Sequence, residues 1–406
     1  MANPTEFGLF VIWEQARGEE GRILADLQES FEVLAVHEIT WTPDLADANF
    51  HRFYRGELEP PYGHLFRRQK GSGPFVVATV IDPRPDYQLR NNTDGPSMVN
   101  ARFLDAKAQY RSWTPGPMQV HATSSRVEAA RDLYMLLGIT VEEYLSDPVV
   151  RGEKVVHRDL VGSPGWSDLA SVFTALNLSL AFVVLRNFEN LPDDDRVGRH
   201  EGVDLLVRDY REAVRILGGA PEHGSVPGGG GRFVVAVGDR TVRFALWPVG
   251  GGYFDPRWEE EILRRRVFRD GVPTPNDADH FDSLAYHAVV HKRIHHDDEW
   301  DRLAVLAHTL GHEGWDRSSL DLPRARALVD AFMDRHGYRY TVPDDIVSVY
   351  FNHAHAGSAR PVLRNRLTHV RRVALRQWLR VRPRLAHPVA GVRRSLGTAR
   401  RALRKG

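Results

Sequence analysis

Near the N-terminus two blocks of apolar residues, 7–13 (FGLFVIW) and 31–41 (FEVLAVHEITW), flank a segment over 19–30 whose apolar positions recur at helical spacing. The pattern predicts strand, helix, strand. Residues 44–54 (DLADANFHRFY) read as a helix, and 73–82 (GPFVVATVID), entered from the turn-prone KGSG, as a third strand. Ser125 and Glu128 have capping-box spacing, Val127, Ala130, Leu133 and Leu137 form an apolar stripe, and Gly138 is a natural stop, so a helix is predicted over 125–137. The segment 141–150 closes a first domain, 1–150.

A second domain, 151–270, is predicted to hold a helix over 166–177, a strand over 180–192, a short strand running into a helix over 200–217, and a hairpin over 233–249 with Gly-Asp at its turn. The run 223–232 (HGSVPGGGGR) reads as a hairpin connection rather than a phosphate loop, because no strand-GK[ST]-helix context surrounds it. A helical domain, 271–359, places His287, His291 and His295 on one face of a helix predicted over 280–310. Such spacing can bind zinc, but no HExxH pattern accompanies it, and half-buried helix histidines fit the same spacing. In 360–406, Leu363, Leu367, Val370, Ala374, Trp378 and Val381 form one stripe with Arg364, Arg371, Arg372 and Arg376 around it, an amphipathic helix.

Length, 406 residues, fits two or three domains. Apolar residues at 42% and charged at 26% describe an ordinary globular protein, and the lack of cysteine excludes disulfides, thiolate nucleophiles and Cys-based metal sites. Neither a leader with a basic flank nor a run of roughly 18 apolar residues is present, so a cytoplasmic protein is expected. The net charge of +1 hides an asymmetry: 360–406 carry fourteen Arg, one Lys and no acid, or +15, while the remaining 39 basic and 53 acidic residues leave −14 on the body. A Trp-containing basic helix suits an anionic membrane surface, which would make the protein peripheral at the inner membrane face through 361–406. Nucleic acid is the weaker partner, since the apolar stripe would go unused on a phosphate backbone, and docking on the acidic body is the third reading.

The candidate chemistry centres on His121, just ahead of the helix over 125–137. A helix entrance favours phosphate through free N–H groups and the positive dipole end, and Arg102, Lys107 and Arg111 upstream supply further positive charge if the loop folds back. The same residues also read as a capping or surface histidine with a solvated basic face.

In order and in local strings (FVIWEQA, FHRFY, SGPFVV, 93–102 and HATSSRVEAARDL), residues 5–140 resemble nucleoside diphosphate kinases. That resemblance implies a ferredoxin-like first domain and a nucleotide substrate, with His121 as the transient phosphoacceptor, Tyr54 as its orienting neighbour and Thr93 and Arg102 as phosphate-binding groups. Trp13 stands where that family has lysine, Met118 where it has asparagine, and the loop from Arg102 to His121 is longer. Most of 7–292 (LRNFENLP, HEGVDLLV, VRFALWPVGGGYFDPRW, SLAYHAVVHK) also resembles nucleotidyltransferase-fold proteins of bacterial capsule and surface-polysaccharide gene clusters. This second resemblance implies an α+β chain whose second domain is a mixed sheet with a helical extension, Arg186 as a phosphate-binding group and Asp204 as a magnesium ligand. Gly202 and Ala245 stand where two further carboxylates are expected, so unless Glu201 or Asp209 moves in, a two-metal site is short of charge.

Three functions follow as expectations. The first is a phosphotransferase or nucleotidyltransferase of surface-glycan assembly, acting on a nucleotide or phosphorylated glycan intermediate with His121 as its reactive group. The second is a catalytically degenerate binding or scaffold protein of the same pathway, and the third a nucleic-acid-associated protein supported only by the tail.

Overall fold

A computed structural model of the chain describes residues 5–54, 63–92, 95–152, 154–196, 201–222, 230–293, 297–312, 317–318, 321–345, 348–356 and 360–361. Along β1 (Glu6–Ile12), Phe7, Leu9 and Val11 enter one core and Phe10 and Ile12 another, the period of two of a strand covered on both faces. Next come α1 (Glu20–Ser30), β2 (Glu32–Thr40), α2 (Ala46–Phe53), α3 (Gly63–Lys70) and β3 (Phe75–Asp82). A hairpin of β4 (Tyr87–Asn92) and β5 (Gly95–Asn100) then leads to α4 (Ala101–Trp113), β6 (Val120–Ala122) and α5 (Arg126–Leu137). The order β6-β1-β3-β2, with all neighbours antiparallel, is the split βαβ arrangement of ferredoxin-like folds.

Two short helices, α6 (Val141–Ser146) and α7 (Pro148–Gly152), feed β7 (Val155–His157), which pairs parallel with β2 as the fifth strand of this sheet. The first sheet thus takes in residues up to 157, past the edge drawn at 150.

The second sheet is mixed. After α8 (Leu169–Asn177) come β8 (Phe182–Val184), β9 (Val203–Val207), α9 (Tyr210–Leu217), β10 (Ala220–Pro221), β11 (Gly231–Val237) and β12 (Arg240–Pro248), ordered β10-β11-β12-β9-β8 with β9 and β12 parallel. The strand expected over 180–192 shortens to three residues, because Asn187 adopts a positive φ of 57° and turns the chain away. The glycine-rich run lies outside the described residues from 223 to 229.

Helices α10 (Pro256–Arg264), α11 (Asp277–Tyr286), α12 (Asp297–Leu310) and α13 (Leu322–His336) cover one face of this sheet, packing on Val183, Leu206 and Trp247. The single helix expected over 280–310 is broken. Residues His287–His291 form one π turn after α11, across which His287 and His291 stay neighbours with ring centroids 5.9 Å apart. His295 and the tail beyond 361 lie outside the described residues.

The other face of the second sheet meets the first. One continuous apolar cluster runs from Leu9, Val11 and Trp13 through Leu133, Trp166 and Phe173 to Leu205 and Phe244. Charged groups cross the same boundary: Arg52 donates to the Ile216 carbonyl at 2.8 Å, and Arg215 donates to the Arg52 carbonyl.

Candidate functional site

His121 lies on β6 opposite Val11 of β1, not in the loop before α5. Val120 and Ala122 enter the core beneath α1 and α4, so His121 points to the other face, toward α2 and α5. There it is 6% exposed, edge-on to Phe53 with ring centroids 5.3 Å apart and to Tyr54 at 5.8 Å. Its Nε2 lies 3.0 Å from Oδ2 of Asp132, two turns into α5.

Helix α5 is built to hold that carboxylate. Ser125 caps it by accepting from the Glu128 N–H at 3.2 Å, while Glu128 reaches back one residue further than a capping box requires, to the N–H and hydroxyl of Ser124 at 2.7 and 2.6 Å. Gly138 closes the helix at φ 71°, a left-handed value that favours glycine. Val127, placed on the apolar stripe by its spacing, is 64% exposed, and the buried face instead carries Ala129, Leu133 and Leu136 together with Arg131 and Asp132. Arg131 grips Oδ1 of Asp132 at 2.6 Å. Burial pushes the Asp132 carboxyl up, but Arg131 and the His121 bond outweigh it, and the group stays below its usual range. Burial pulls the His121 imidazole below its usual value, with Lys107 adding to the effect, so it is neutral at pH 7.

Three cations converge on the strand that carries His121. Lys107 donates to the Ala122 carbonyl at 3.2 Å, Arg111 to the Val120 carbonyl at 2.8 Å, and Lys70, at the end of α3, to the Met118 carbonyl. Among the described residues none of the three forms an ion pair with a carboxylate. Lys70 is 1% exposed and sits 4.4 Å above the Tyr54 ring. Burial, then repulsion from Arg111 and Lys107, pulls its ammonium down to about 7. Like charges, one buried and two half-buried, held together on backbone carbonyls suit an anion.

The residues predicted from sequence divide accordingly. Tyr54 packs against His121, but its hydroxyl accepts from the Trp13 indole N–H at 2.7 Å, so it braces the wall of the site rather than bonding to the histidine. Arg102 is not part of the site: it pairs with Asp82, donates to the Ser30 carbonyl at 2.8 Å and stacks on Phe31, at the far end of α4 from Lys107 and Arg111. Thr93 lies outside the described residues. Lys70 and Asp132 were missed. Asp132 was legible in principle, eleven residues after His121 on the helix, whereas nothing local to Lys70 announces its role.

Asp204 and Arg186 meet in a separate cleft of about 420 Å³ on the second sheet, lined by Gly202, Ala245 and Trp247 as well. Arg186 holds Oδ2 of Asp204 at 3.0 Å, and the Trp247 indole N–H approaches Oδ1 at 3.3 Å. Of the two neighbours that could supply the missing charge, Glu201 lines the cleft but pairs with Arg243 at 2.8 Å, and Asp209 caps α9 by accepting from the Glu212 N–H at 3.0 Å. A guanidinium occupies the place of a cation beside Asp204, and this donor set does not fit a resident magnesium ion.

Elsewhere, among the described residues, ligand atoms of His121, Glu128 and Asp132 lie within 4.8 Å of one another. Such a group could hold a metal ion, though its atoms are already engaged: Asp132 is shared between Arg131 and His121, and Glu128 is held by Ser124. His287 gives its Nδ1 to the Tyr253 hydroxyl at 3.0 Å, and no zinc cluster forms with His291.

Comparison with known proteins adds little. No protein-family model and no curated protein matches the chain. Among solved structures, it is similar to the nucleoside diphosphate kinase of Aquifex aeolicus in an orthorhombic crystal form, at 19% identity and a TM-score of 0.23, covering 34% of this chain and 99% of that one. At that identity and score the likeness is too slight to bear on activity. Among the described residues, no helix is long and apolar enough to cross a membrane.

Proposed function

We propose that the first domain is a phosphoryl-transfer unit in which His121 accepts the γ-phosphoryl group of a nucleoside triphosphate. The observation that carries this reading is a neutral histidine bound through Nε2 to an ionised, buried Asp132, beneath three cations paired with backbone carbonyls alone. With Nε2–H donating to Asp132, the lone pair for attack is on Nδ1. Nδ1 forms a bond to the γ-phosphorus as the bond from that phosphorus to the β–γ bridging oxygen breaks, and the electron pair leaves with the nucleoside diphosphate. Asp132 stabilises the positive charge that grows on the imidazole, while Lys70, Lys107 and Arg111 balance the phosphoryl oxygens. Magnesium enters as part of the nucleotide substrate.

The second, mixed-sheet domain we read as nucleotidyltransferase-like in shape and degenerate in chemistry: the Asp204 carboxylate faces Arg186 and Trp247, and no second carboxylate stands beside it on β9 or β12. A setting in bacterial surface-polysaccharide assembly, at the membrane face through 361–406, is supported by the resemblance of 7–292 and the composition of the tail.

Incubation with γ-labelled ATP or GTP and magnesium tests the chemistry. Acid-labile, base-stable label in the wild type that is absent in His121→Ala is the expected result, and an unlabelled wild type across both nucleotides overturns the proposal.

A further inference from the structure

The cleft on the second sheet is too large and too polar to be an accident of packing. At about 420 Å³ it falls in the range of small-molecule sites. Its cations are already engaged: Arg186 pairs with Asp204, Arg243 with Glu201 and Glu222, and Lys292 with Glu299, and Arg232 donates to the Ser348 carbonyl at 3.2 Å. An arginine–aspartate pair at 3.0 Å offers carboxylate lone pairs and guanidinium N–H groups side by side. That pattern matches two neighbouring hydroxyl groups, each of which donates and accepts.

His291 supplies the second, independent observation. It lines the cleft, is 5% exposed, and packs against Tyr253 with centroids 4.3 Å apart. Neither ring nitrogen has a hydrogen-bond partner among the described residues. Burial, and Arg186 nearby, hold it well below its usual value, so the ring is neutral and presents one N–H and one lone pair. A buried donor and acceptor left without partners are costly, and a small turn of the ring toward the cleft brings either one to a ligand hydroxyl. At the rim Tyr350, 43% exposed, offers an aromatic face on which a sugar ring can stack.

We propose that this cleft binds an uncharged polyhydroxylated ligand of one or two sugar rings, with Arg186 and Asp204 reading a pair of neighbouring hydroxyls, His291 a further one, and Tyr350 the ring face. The site is separate from His121, and the inference stands whether or not that histidine is phosphorylated.

Saturation-transfer NMR on the full chain tests it, with methyl glycosides of neutral hexoses, 6-deoxyhexoses and N-acetylhexosamines and their disaccharides, beside uronic acids, glucose 1-phosphate and magnesium ATP. Transfer to at least one neutral glycoside is expected. Its Kd should rise roughly tenfold or more in both Asp204→Asn and Tyr350→Ala, as losing one designed polar or stacking contact does, with circular dichroism unchanged. Transfer confined to the charged probes, no transfer to any neutral glycoside, or wild-type Kd in both variants would overturn the proposal.

Discussion

Lys70 is buried beside Arg111 and Lys107 with an ammonium that titrates near 7, and an anion placed among the three would raise that value. Binding of pyrophosphate above pH 7 is therefore expected to take up protons, a fraction that calorimetry in buffers of differing ionisation enthalpy measures directly. Lys70→Met should abolish the uptake and weaken binding, and an unchanged proton count would remove Lys70 from the site. His121 carries a related expectation. Its folded value is depressed below the ordinary imidazole value of about 6.5, so the neutral nucleophile persists below that pH and labelling should decline only as pH falls further. The same sign applies to stability: the contribution of the neutral buried ring is present above pH 6.5 and is lost as pH falls through the folded value. Asp132→Asn should cut the labelling rate by about 10²-fold or more, the scale of removing a positioned partner in general acid–base and triad sites. At this scale the sequence disclosed His121, Lys107 and Arg111, because they fall within one short stretch. It misplaced Arg102, whose partner Asp82 is on a distant strand, and it could not disclose Lys70, which reaches the Met118 carbonyl, just ahead of β6, from 48 residues upstream.

The elements were legible where one face is apolar and the ends are capped. Helix α5 has both its Ser125 cap and its Gly138 stop where the residues predict them. Its buried face was misread because Arg131 and Asp132 are inside, and periodicity counts buried charges as solvent-facing. Ser125→Ala should cost about 1 kcal/mol in denaturant unfolding, the usual value of an N-cap. A larger loss of labelling than that destabilisation explains would show Glu128 moving with the cap. The break in the helix expected over 280–310 escaped for a different cause: a π turn at His287–His291 has no signature in apolar spacing. On β9 the geometry speaks against simple restoration of a metal site. Gly202 sits at φ 92° and a Cβ there would lie 2.9 Å from the Arg243 carbonyl oxygen, so Gly202→Asp is expected to destabilise by about 1–3 kcal/mol without adding magnesium affinity. Tighter magnesium binding in calorimetry on that variant would contradict this reading of the cleft.

Across the whole molecule, the two sheets are joined by a buried chain of charges that ends on the catalytic candidate. Asp132 is held by Arg131, Arg131 lies 3.9 Å from Glu212 on α9, and Glu212 also pairs with Arg215, which donates to the Arg52 carbonyl. Arg131, Asp132, Glu212 and Arg215 are each at most 6% exposed, so removal of one partner leaves an uncompensated charge inside. Glu212→Ala is expected to cost about 3–5 kcal/mol in chemical denaturation, and a neutral result would mean that solvent reaches the network. This joint was invisible in the sequence, because a domain edge drawn from composition near 150 passes between its members. The central claim is that this network, reaching from the second sheet, fixes His121 by Nε2 and presents Nδ1 to a nucleotide. Alkaline hydrolysis of the labelled full chain, followed by chromatographic separation of the two phosphohistidine isomers, tests it most directly. Phosphate on Nδ1 of His121, with the label absent from His121→Ala, is the expected result; phosphate on Nε2, or label that survives that substitution, would overturn it.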